Sequence, residues 1–195
     1  MAWKNDQVSE KETAFILSVA RGCLGFSGDF VEMGCYRGDT SLLLAEALYR
    51  GTKSLWLYDS FEGLPEKSAS DKSVVGEEFA RGALAVTKRE VKERFLRAGL
   101  KVPVIKKAWF ADLTEADMPR EVAFAFLDGD FYESIMDSLK LVGPRMVTGG
   151  VILVHDYANP ALPGVKKAVD EWLFGEARGE ITEECESMVK ISINN

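Results

Sequence analysis

Apolar residues occur along the chain in short continuous runs that alternate with segments of helical spacing. The runs with the length of buried strands cover residues 30–33, 55–58, 104–105, 122–127 and 151–154. Continuous apolar runs are typical of parallel strands, because such strands are buried on both faces of the sheet. The pattern therefore predicts a mostly parallel sheet with helices on both sides.

The segments between these runs carry the signals of α-helices. Helical spacing predicts helices over residues 10–21, 42–48, 88–98, 135–141 and 165–174, and Asp39 or Thr40 can cap the second of them. Ser9 with Glu12 and Thr87 with Glu90 have the spacing of capping boxes, which begin the first and third of these helices. Strands that alternate with helices are typical of a doubly wound, Rossmann-like α/β fold.

The C-terminal part of the chain departs from this alternation. Two short runs follow the last helix, at residues 181–182 and 188–193, and their close spacing predicts an antiparallel hairpin. The chain has 195 residues, of which 47% are hydrophobic, so it can bury one sizeable core. We therefore expect a single domain over residues 1–195, in which residues 1–29 form a lead-in and a first helix.

Charge and composition narrow the classes of partner. The formal net charge is -7 at pH 7, which disfavours nucleic acid because phosphate-backbone binding needs a basic surface. Residues 1–11 are polar and acidic, unlike a secretory signal, and the apolar runs are too short to cross a membrane. The three cysteines form no C-x-x-C pair, which suits free thiols. We expect a cytoplasmic protein.

A glycine loop follows the first predicted strand, where ligands bind in open parallel sheets. The segment E-M-G-C-Y-R-G runs from Glu32 through Gly34, Cys35 and Tyr36 to Gly38. It lacks the third glycine of the dinucleotide fingerprint, and the acidic residue before it would repel a pyrophosphate. This pattern favours a nucleoside with a cationic head, and S-adenosylmethionine is such a molecule. A tight turn without a ligand is the alternative.

Asp59 ends the second predicted strand, where an acidic side chain can accept hydrogen bonds from ribose hydroxyls. Ser60 and Phe61 follow it directly and are included with it among the predicted cofactor-binding residues. Trp109 and Phe110 follow the third strand, where an aromatic ring can stack on adenine or pack in the core. A turn residue or helix cap is the structural alternative for Asp59.

Polar side chains also follow the fourth and fifth predicted strands. Asp128 and Asp130 come after the fourth strand, and His155 and Asp156 after the fifth. Neighbouring strand ends bring such groups together, and two carboxylates tolerate this best around a cation. We predict a divalent metal site formed by Asp128, His155 and Asp156, for Mg²⁺ or another divalent cation. His155 is also a candidate general base, and Asp128 a further catalytic and cofactor-contacting residue. The alternatives are a hydrogen-bonded structural histidine and, for Asp128 and Asp130, a solvated turn that caps the next helix.

Three segments together resemble one known family. They are residues 32–38, the run Y-D-S-F-E-G-L-P at residues 58–65 and the run L-D-G-D-F-Y-E-S at residues 127–134. The chain resembles the macrocin O-methyltransferase (TylF-like) family of class I S-adenosylmethionine-dependent methyltransferases. The resemblance implies a seven-stranded sheet whose last strand is antiparallel, and magnesium-assisted methylation of a hydroxyl on a glycosylated natural product.

The resemblance also assigns individual residues. Asp128 matches the first metal ligand of the family, but the acidic pair after the fifth strand falls on His155 and Asp156, of which only one is acidic. We expect residues 62–86 or a partner subunit to close the site over a small-molecule hydroxyl substrate. The sequence is compatible with a homo-oligomer. The alternatives are a nicotinamide-dependent oxidoreductase and a non-catalytic nucleoside-binding or partner subunit.

Overall fold

A seven-stranded sheet forms the centre of the protein. The computed structural model describes residues 7–49, 51–175 and 178–194. The strands are β1 (Asp29–Met33), β2 (Leu55–Asp59), β3 (Val104–Lys107), β4 (Val122–Leu127), β5 (Met146–Val154), β6 (Gly179–Cys185) and β7 (Met188–Ile193). Their spatial order is β3-β2-β1-β4-β5-β7-β6, with β1 to β5 parallel and β7 antiparallel to both of its neighbours. The predicted α/β class and the C-terminal hairpin are confirmed.

Helices cover both faces of this sheet. They are α1 (Glu10–Gly22), α2 (Asp39–Leu48), α3 (Lys88–Ala98), α4 (Tyr132–Val142) and α5 (Pro163–Gly175). Apolar side chains of α1, α2 and α3 pack in one buried cluster, and those of α4 and α5 pack in a second cluster on the opposite face. Both predicted capping boxes form. None of the described helices has the length and apolar character needed to cross a membrane.

Strand boundaries differ from the prediction where the apolar pattern is interrupted. β5 begins at Met146 rather than at residue 151. The prediction missed its first half because Thr148 and Gly149 are exposed and interrupt the apolar run. Gly149 has a φ of 80°, and the pairing register with β4 shifts between Val122 and Phe124. β6 extends beyond the predicted residues 181–182; it is an edge strand whose residues are mostly exposed and include three glutamates, so its ends carry no apolar signal. Hydrophobic periodicity therefore detects the buried second half of β5 and only the two residues around Ile181 in β6.

The carboxyl ends of the central parallel strands lie at one level. Met33 of β1 pairs in register with Leu127 of β4, which pairs with Val154 of β5. The ladder continues beyond each strand, since the N–H of Asp128 donates to Met33 O at 2.9 Å and that of His155 donates to Leu127 O at 3.0 Å. Backbone pairing thus fixes the residues that follow β4 and β5 next to each other.

Candidate active site

A cavity opens at the carboxyl ends of β1, β2, β4 and β5 and contains most of the predicted site residues. The predicted residues that line it are Glu32, Gly34, Cys35, Tyr36, Asp59, Ser60, Trp109, Phe110, Asp128, His155 and Asp156. Gly38 and Phe61 lie outside its wall. Gly38 precedes α2 in a left-handed conformation, with a φ of 80°, and Phe61 packs in the buried cluster beneath α2 and α3. Their positions give them supporting roles in the loops rather than contacts with the cavity.

Asp59 organises the glycine loop. Its Oδ2 accepts hydrogen bonds from the backbone N–H groups of Cys35 at 3.0 Å and Tyr36 at 2.9 Å. Its Oδ1 accepts one from the N–H of Phe61 at 2.7 Å. Burial raises the pKa of Asp59, although these three hydrogen bonds favour the ionised carboxylate. The carboxylate joins the loops after β1 and β2, and Oδ1, which accepts only one hydrogen bond, retains acceptor capacity.

Glu32 places a carboxylate inside the protein at the wall of the cavity. The residue is 1% exposed, and none of the described residues forms a hydrogen bond with its Oε2. Burial raises its pKa well above the ordinary value; the nearby Ser41 hydroxyl lowers it in part, and the negative charges of Asp128, Asp59 and Asp39 raise it further. A buried carboxylate oxygen without a donor is costly, and a cationic ligand would satisfy it. This group fits the ammonium end of S-adenosylmethionine better than a pyrophosphate.

The residues after β4 and β5 form a compact cluster. Nδ1 of His155 lies 2.9 Å from Oδ1 of Asp128 and 3.1 Å from Oδ2 of Asp156. One ligand atom from each of the three residues lies within 4.8 Å of the other two. Asn159 Nδ2 donates a hydrogen bond of 2.8 Å to Oδ1 of Asp156 and so fixes the second carboxylate. The predicted metal ligands are therefore brought together.

The spacing of the cluster suits a divalent cation. Octahedral coordination at about 2.1 Å separates adjacent ligand atoms by about 3 Å. The two separations around Nδ1 of His155, 2.9 and 3.1 Å, are compatible with this edge length and are also those of hydrogen bonds in the absence of a cation. Two carboxylates and an imidazole form a mixed O and N ligand set, in which the carboxylates suit Mn²⁺ or Mg²⁺ and the imidazole suits ions such as Fe²⁺ or Zn²⁺ better than Mg²⁺. These residues fit a divalent cation, as the family resemblance implies.

His155 is almost enclosed by negative charge. Its Nε2 lies 3.7 Å from Oε2 of Glu12, on the side opposite Asp128 and Asp156. Burial opposes a charge on the ring, but the carboxylates of Asp128, Asp156 and Glu12 outweigh it and raise the pKa of His155 well above its ordinary value. Without a bound cation the ring is therefore a hydrogen-bond donor rather than a proton acceptor.

A long loop between β2 and α3 supplies the opposite wall of the cavity. Leu64, Pro65, Phe79 and Leu84 of this loop line the cavity. Asp71, which is 1% exposed, anchors the loop by accepting hydrogen bonds from Ser68 N at 3.0 Å and Tyr132 N at 2.7 Å. The second of these contacts satisfies the first N–H of α4. The loop is thus held over the site by a buried carboxylate.

Comparison with known proteins agrees with the fold and the motifs. The model of the macrocin-O-methyltransferase (TylF) family matches residues 18–191. The chain belongs to this family. Over 70% of its length, the chain is 36% identical to the 8-demethyl-8-(2,3-dimethoxy-alpha-L-rhamnosyl)-tetracenomycin-C 4'-O-methyltransferase of Streptomyces olivaceus. Demethyldecarbamoylnovobiocin O-methyltransferase of Streptomyces niveus is 31% identical over 74% of the chain. The chain spans 56% and 58% of the lengths of these two relatives.

Solved structures extend the likeness of this TylF family member. The O-methyltransferase NovP superposes with a TM-score of 0.76 at 28% identity, over 92% of this chain and 79% of that protein. The calicheamicin methyltransferase CalS11 superposes with a TM-score of 0.74 at 18% identity, over 95% of this chain and 80% of that protein. The CalS11 likeness concerns the fold alone, and it agrees with the seven-stranded arrangement.

Sequence reasoning missed two residues of this TylF family member that contact the cluster: Asn159, which donates to Asp156, and Glu12. Glu12 was assigned only the capping of α1, yet its carboxylate also faces His155. The capping-box spacing fully accounted for an acidic residue at this position, so no further signal remained in the local sequence. The contact depends on how α1 packs against the end of β5. Hydrophobic spacing alone does not specify that arrangement.

Proposed function

We propose that this chain transfers the methyl group of S-adenosylmethionine to a hydroxyl of a sugar or glycosylated metabolite, with the help of a divalent cation. The observation that carries the proposal is the carboxylate of Glu32, which is buried at the cavity with an oxygen that no described residue partners. S-adenosylmethionine offers this oxygen an ammonium group, whereas a dinucleotide would bring phosphates to it. A nicotinamide-dependent oxidoreductase is therefore the weaker alternative.

The names of the relatives support a glycosylated acceptor. The relative from Streptomyces olivaceus is named for a rhamnosylated tetracenomycin, and a further relative from Micromonospora griseorubida is named mycinamicin III 3''-O-methyltransferase. The second is 28% identical over 76% of this chain, which spans 61% of its length. Both names describe methylation of an oxygen. We extend that chemistry to this chain and not the particular acceptors.

In the proposed cofactor site, different residues bind the nucleoside and the amino-acid part of S-adenosylmethionine. Glu32 and the glycine loop hold the methionine end, and Asp59 accepts hydrogen bonds from the ribose. Trp109 and Phe110, both partly buried at the cavity wall, provide flat surfaces for adenine. Each part of the cofactor would thus meet a loop that follows a different strand.

The cluster prepares the acceptor hydroxyl. Asp128, Asp156 and Nδ1 of His155 would hold the cation, which would supply positive charge that lowers the pKa of a nearby substrate hydroxyl. Proximity and alignment of that hydroxyl with the methyl group then supply much of the acceleration. His155 also remains a candidate general base, but its position between carboxylates supports the ligand role more strongly.

The proposal also covers domain organisation, cellular location and the class of acceptor. We infer a single cytoplasmic domain over residues 1–195, and the common sheet of the described residues supports its unity. Residues 1–6 of the predicted lead-in lie outside the described residues. The net charge of -7 supports a small-molecule acceptor over nucleic acid. A partner subunit could still complete the closure that the loop of residues 62–86 begins.

Two experiments test the proposal. Calorimetry with S-adenosylmethionine, its demethylated product and NAD measures which nucleoside binds, and we expect saturable heat from the first two alone. Transfer of a radioactive methyl group to a panel of glycosides, with and without Mg²⁺ or Mn²⁺, then tests the reaction. Binding of NAD alone would overturn the assignment. Cofactor binding without transfer to any glycoside would favour the non-catalytic subunit.

A further inference from the structure

The carboxylate of Glu12 is buried and held at both oxygens. Oε1 accepts hydrogen bonds from the N–H of Ser187 at 3.2 Å and from its hydroxyl at 2.5 Å. Oε2 accepts one from the N–H of Ser9 at 3.1 Å. Glu12 is only 5% exposed. The Glu12 side chain, which belongs to α1, is therefore held by Ser187 in the turn that joins β6 to β7.

The imidazole ring of His155 lies between the Glu12 carboxylate and the other two residues of the predicted metal cluster. Oε2 of Glu12 lies 3.7 Å from Nε2 of His155, which is an ion-pair distance rather than a direct hydrogen bond. The other ring nitrogen, Nδ1, lies 2.9 Å from Asp128 and 3.1 Å from Asp156. His155 is 6% exposed. Its ring thus connects Glu12 with the cluster.

Capping of α1 does not account for this arrangement. Glu90 holds the equivalent capping-box position on α3 and accepts a hydrogen bond of 2.8 Å from Thr87 N, but its side chain remains exposed. Glu12 performs the same capping and is nevertheless buried against His155. Burial of a carboxylate is costly unless donors or a cation compensate it. The two glutamates therefore differ in the contact with His155 and Ser187.

We propose that Glu12 is a positioning residue that keeps the hydrogen of His155 on Nε2 and so presents Nδ1 as the third ligand of the divalent cation. The inference rests on the metal-assisted part of the proposed function. Histidine ligands commonly donate their second ring N–H toward a carboxylate, which fixes the ring orientation and the ligating nitrogen. Through Glu12, the position of α1 determines the ligand geometry at the end of β5.

The wild-type protein permits a direct spectroscopic test, because His155 is the only histidine in the sequence. Histidine labelled with ¹⁵N in the full chain, prepared without a histidine tag, gives one pair of ring signals. On addition of Zn²⁺, a diamagnetic ion that imidazole binds well, we expect Nε2 to keep its hydrogen and Nδ1 to show the shift of a ligating nitrogen. A hydrogen on Nδ1 with Nε2 ligated would overturn the proposal.

A matched pair of variants tests the contribution of Glu12 to affinity. Mn²⁺ binding, followed by loss of the free-ion electron paramagnetic resonance signal, is compared among the wild type, Glu12→Gln and Glu90→Gln. We expect Glu12→Gln to weaken binding about 10- to 100-fold and Glu90→Gln to leave it unchanged. Circular dichroism checks that both variants are folded.

The outcomes separate the inference from the proposed function. Equal Mn²⁺ affinity of wild type and a folded Glu12→Gln variant would overturn the positioning role and leave metal assistance standing. Absence of Mn²⁺ binding by the wild type would overturn both, while the calorimetry with S-adenosylmethionine would still decide the cofactor. If Glu12→Gln does not fold, the ring signals of the wild type decide the question alone.

Discussion

The backbone carbonyl of Asp128 occupies the space that a side chain on Gly34 would need. An ideal Cβ at Gly34 would lie 2.0 Å from the Asp128 oxygen, and the φ of Gly34 is 90°. The first glycine of the loop therefore allows the end of β1 to approach the end of β4. Cofactor loop and cluster are adjacent because this one position has no side chain.

Substitution of Gly34 by alanine should disturb both parts of the site. We expect Gly34→Ala to reduce the free energy of unfolding by about 3 kcal/mol, from the left-handed backbone and the clash together. Thermal unfolding and calorimetric binding of S-adenosylmethionine measure the two effects. Gly22→Ala is the matched control, because a Cβ there meets nothing within 4 Å and the φ is -60°. Equal behaviour of the two variants would contradict the packing argument.

Glu32→Gln should have opposite effects on affinity and stability. Loss of the charge should weaken binding of S-adenosylmethionine about 10- to 100-fold, the value of a charged hydrogen bond. The ligand-free protein should become more stable, because an unpartnered buried carboxylate is removed.

The stability gain of Glu32→Gln should depend on pH in a defined direction. Burial raises the pKa of Glu32 above its value of 4.5 in the unfolded chain. The wild type therefore loses stability as pH rises from about 4.5 toward the raised pKa, because only the unfolded chain ionises freely. Melting temperatures of both proteins from pH 4 upward should diverge. A constant difference would show that Glu32 does not titrate as inferred.

Substitution of two aspartates in the same loop, Asp128 and Asp130, should affect Mn²⁺ affinity differently. Asp128→Asn removes a ligand and should reduce Mn²⁺ affinity by at least about 100-fold, together with methyl transfer. Asp130 lines the cavity but lies outside the three-residue cluster, and its φ of 61° is one that asparagine tolerates. Asp130→Asn should keep most of the Mn²⁺ affinity. A similar loss in both variants would indicate general electrostatics instead of ligation.

Anchoring of the loop at residues 62–86 should depend on Asp71. Asp71→Ala leaves the N–H groups of Ser68 and Tyr132 without their buried partner and should cost about 2 to 4 kcal/mol. Asp117 makes the same local contact with Thr114 near the surface, so Asp117→Ala should cost clearly less than Asp71→Ala. Denaturant unfolding gives both values, and limited trypsin cleavage should be faster in the loop of Asp71→Ala only.

The sequence predicted the fold and the convergence of Asp128, His155 and Asp156 for one physical reason. Each follows a strand whose residues are buried on both faces, and such strands have a clear signature and a shared carboxyl edge. The beginning of β5 could not be predicted, because Thr148 and Gly149 are exposed and carry no periodicity. Exposed edge strands escape the same signal.

The contacts that cross between elements lay beyond sequence reasoning. Asp59 was predicted to bind ribose, and its hydrogen bonds to Cys35 and Tyr36 could not be inferred without the relative heights of two loops. The contact of Glu12 with His155 depends similarly on the packing of α1. Spacing along the chain identifies which groups share an edge of the sheet. It does not determine which of them exchange hydrogen bonds.

The position of β7 has a consequence for biosynthesis. β7 pairs with β5 inside the sheet, although residues 188–193 are translated well after β5. On the ribosome, the outer edge of β5 is therefore open, with apolar faces and unpaired peptide groups, until β7 emerges. Nascent chains in crowded polysomes could pair through that edge. Recruitment of a chaperone to the growing chain would protect newly made molecules until β7 pairs with β5.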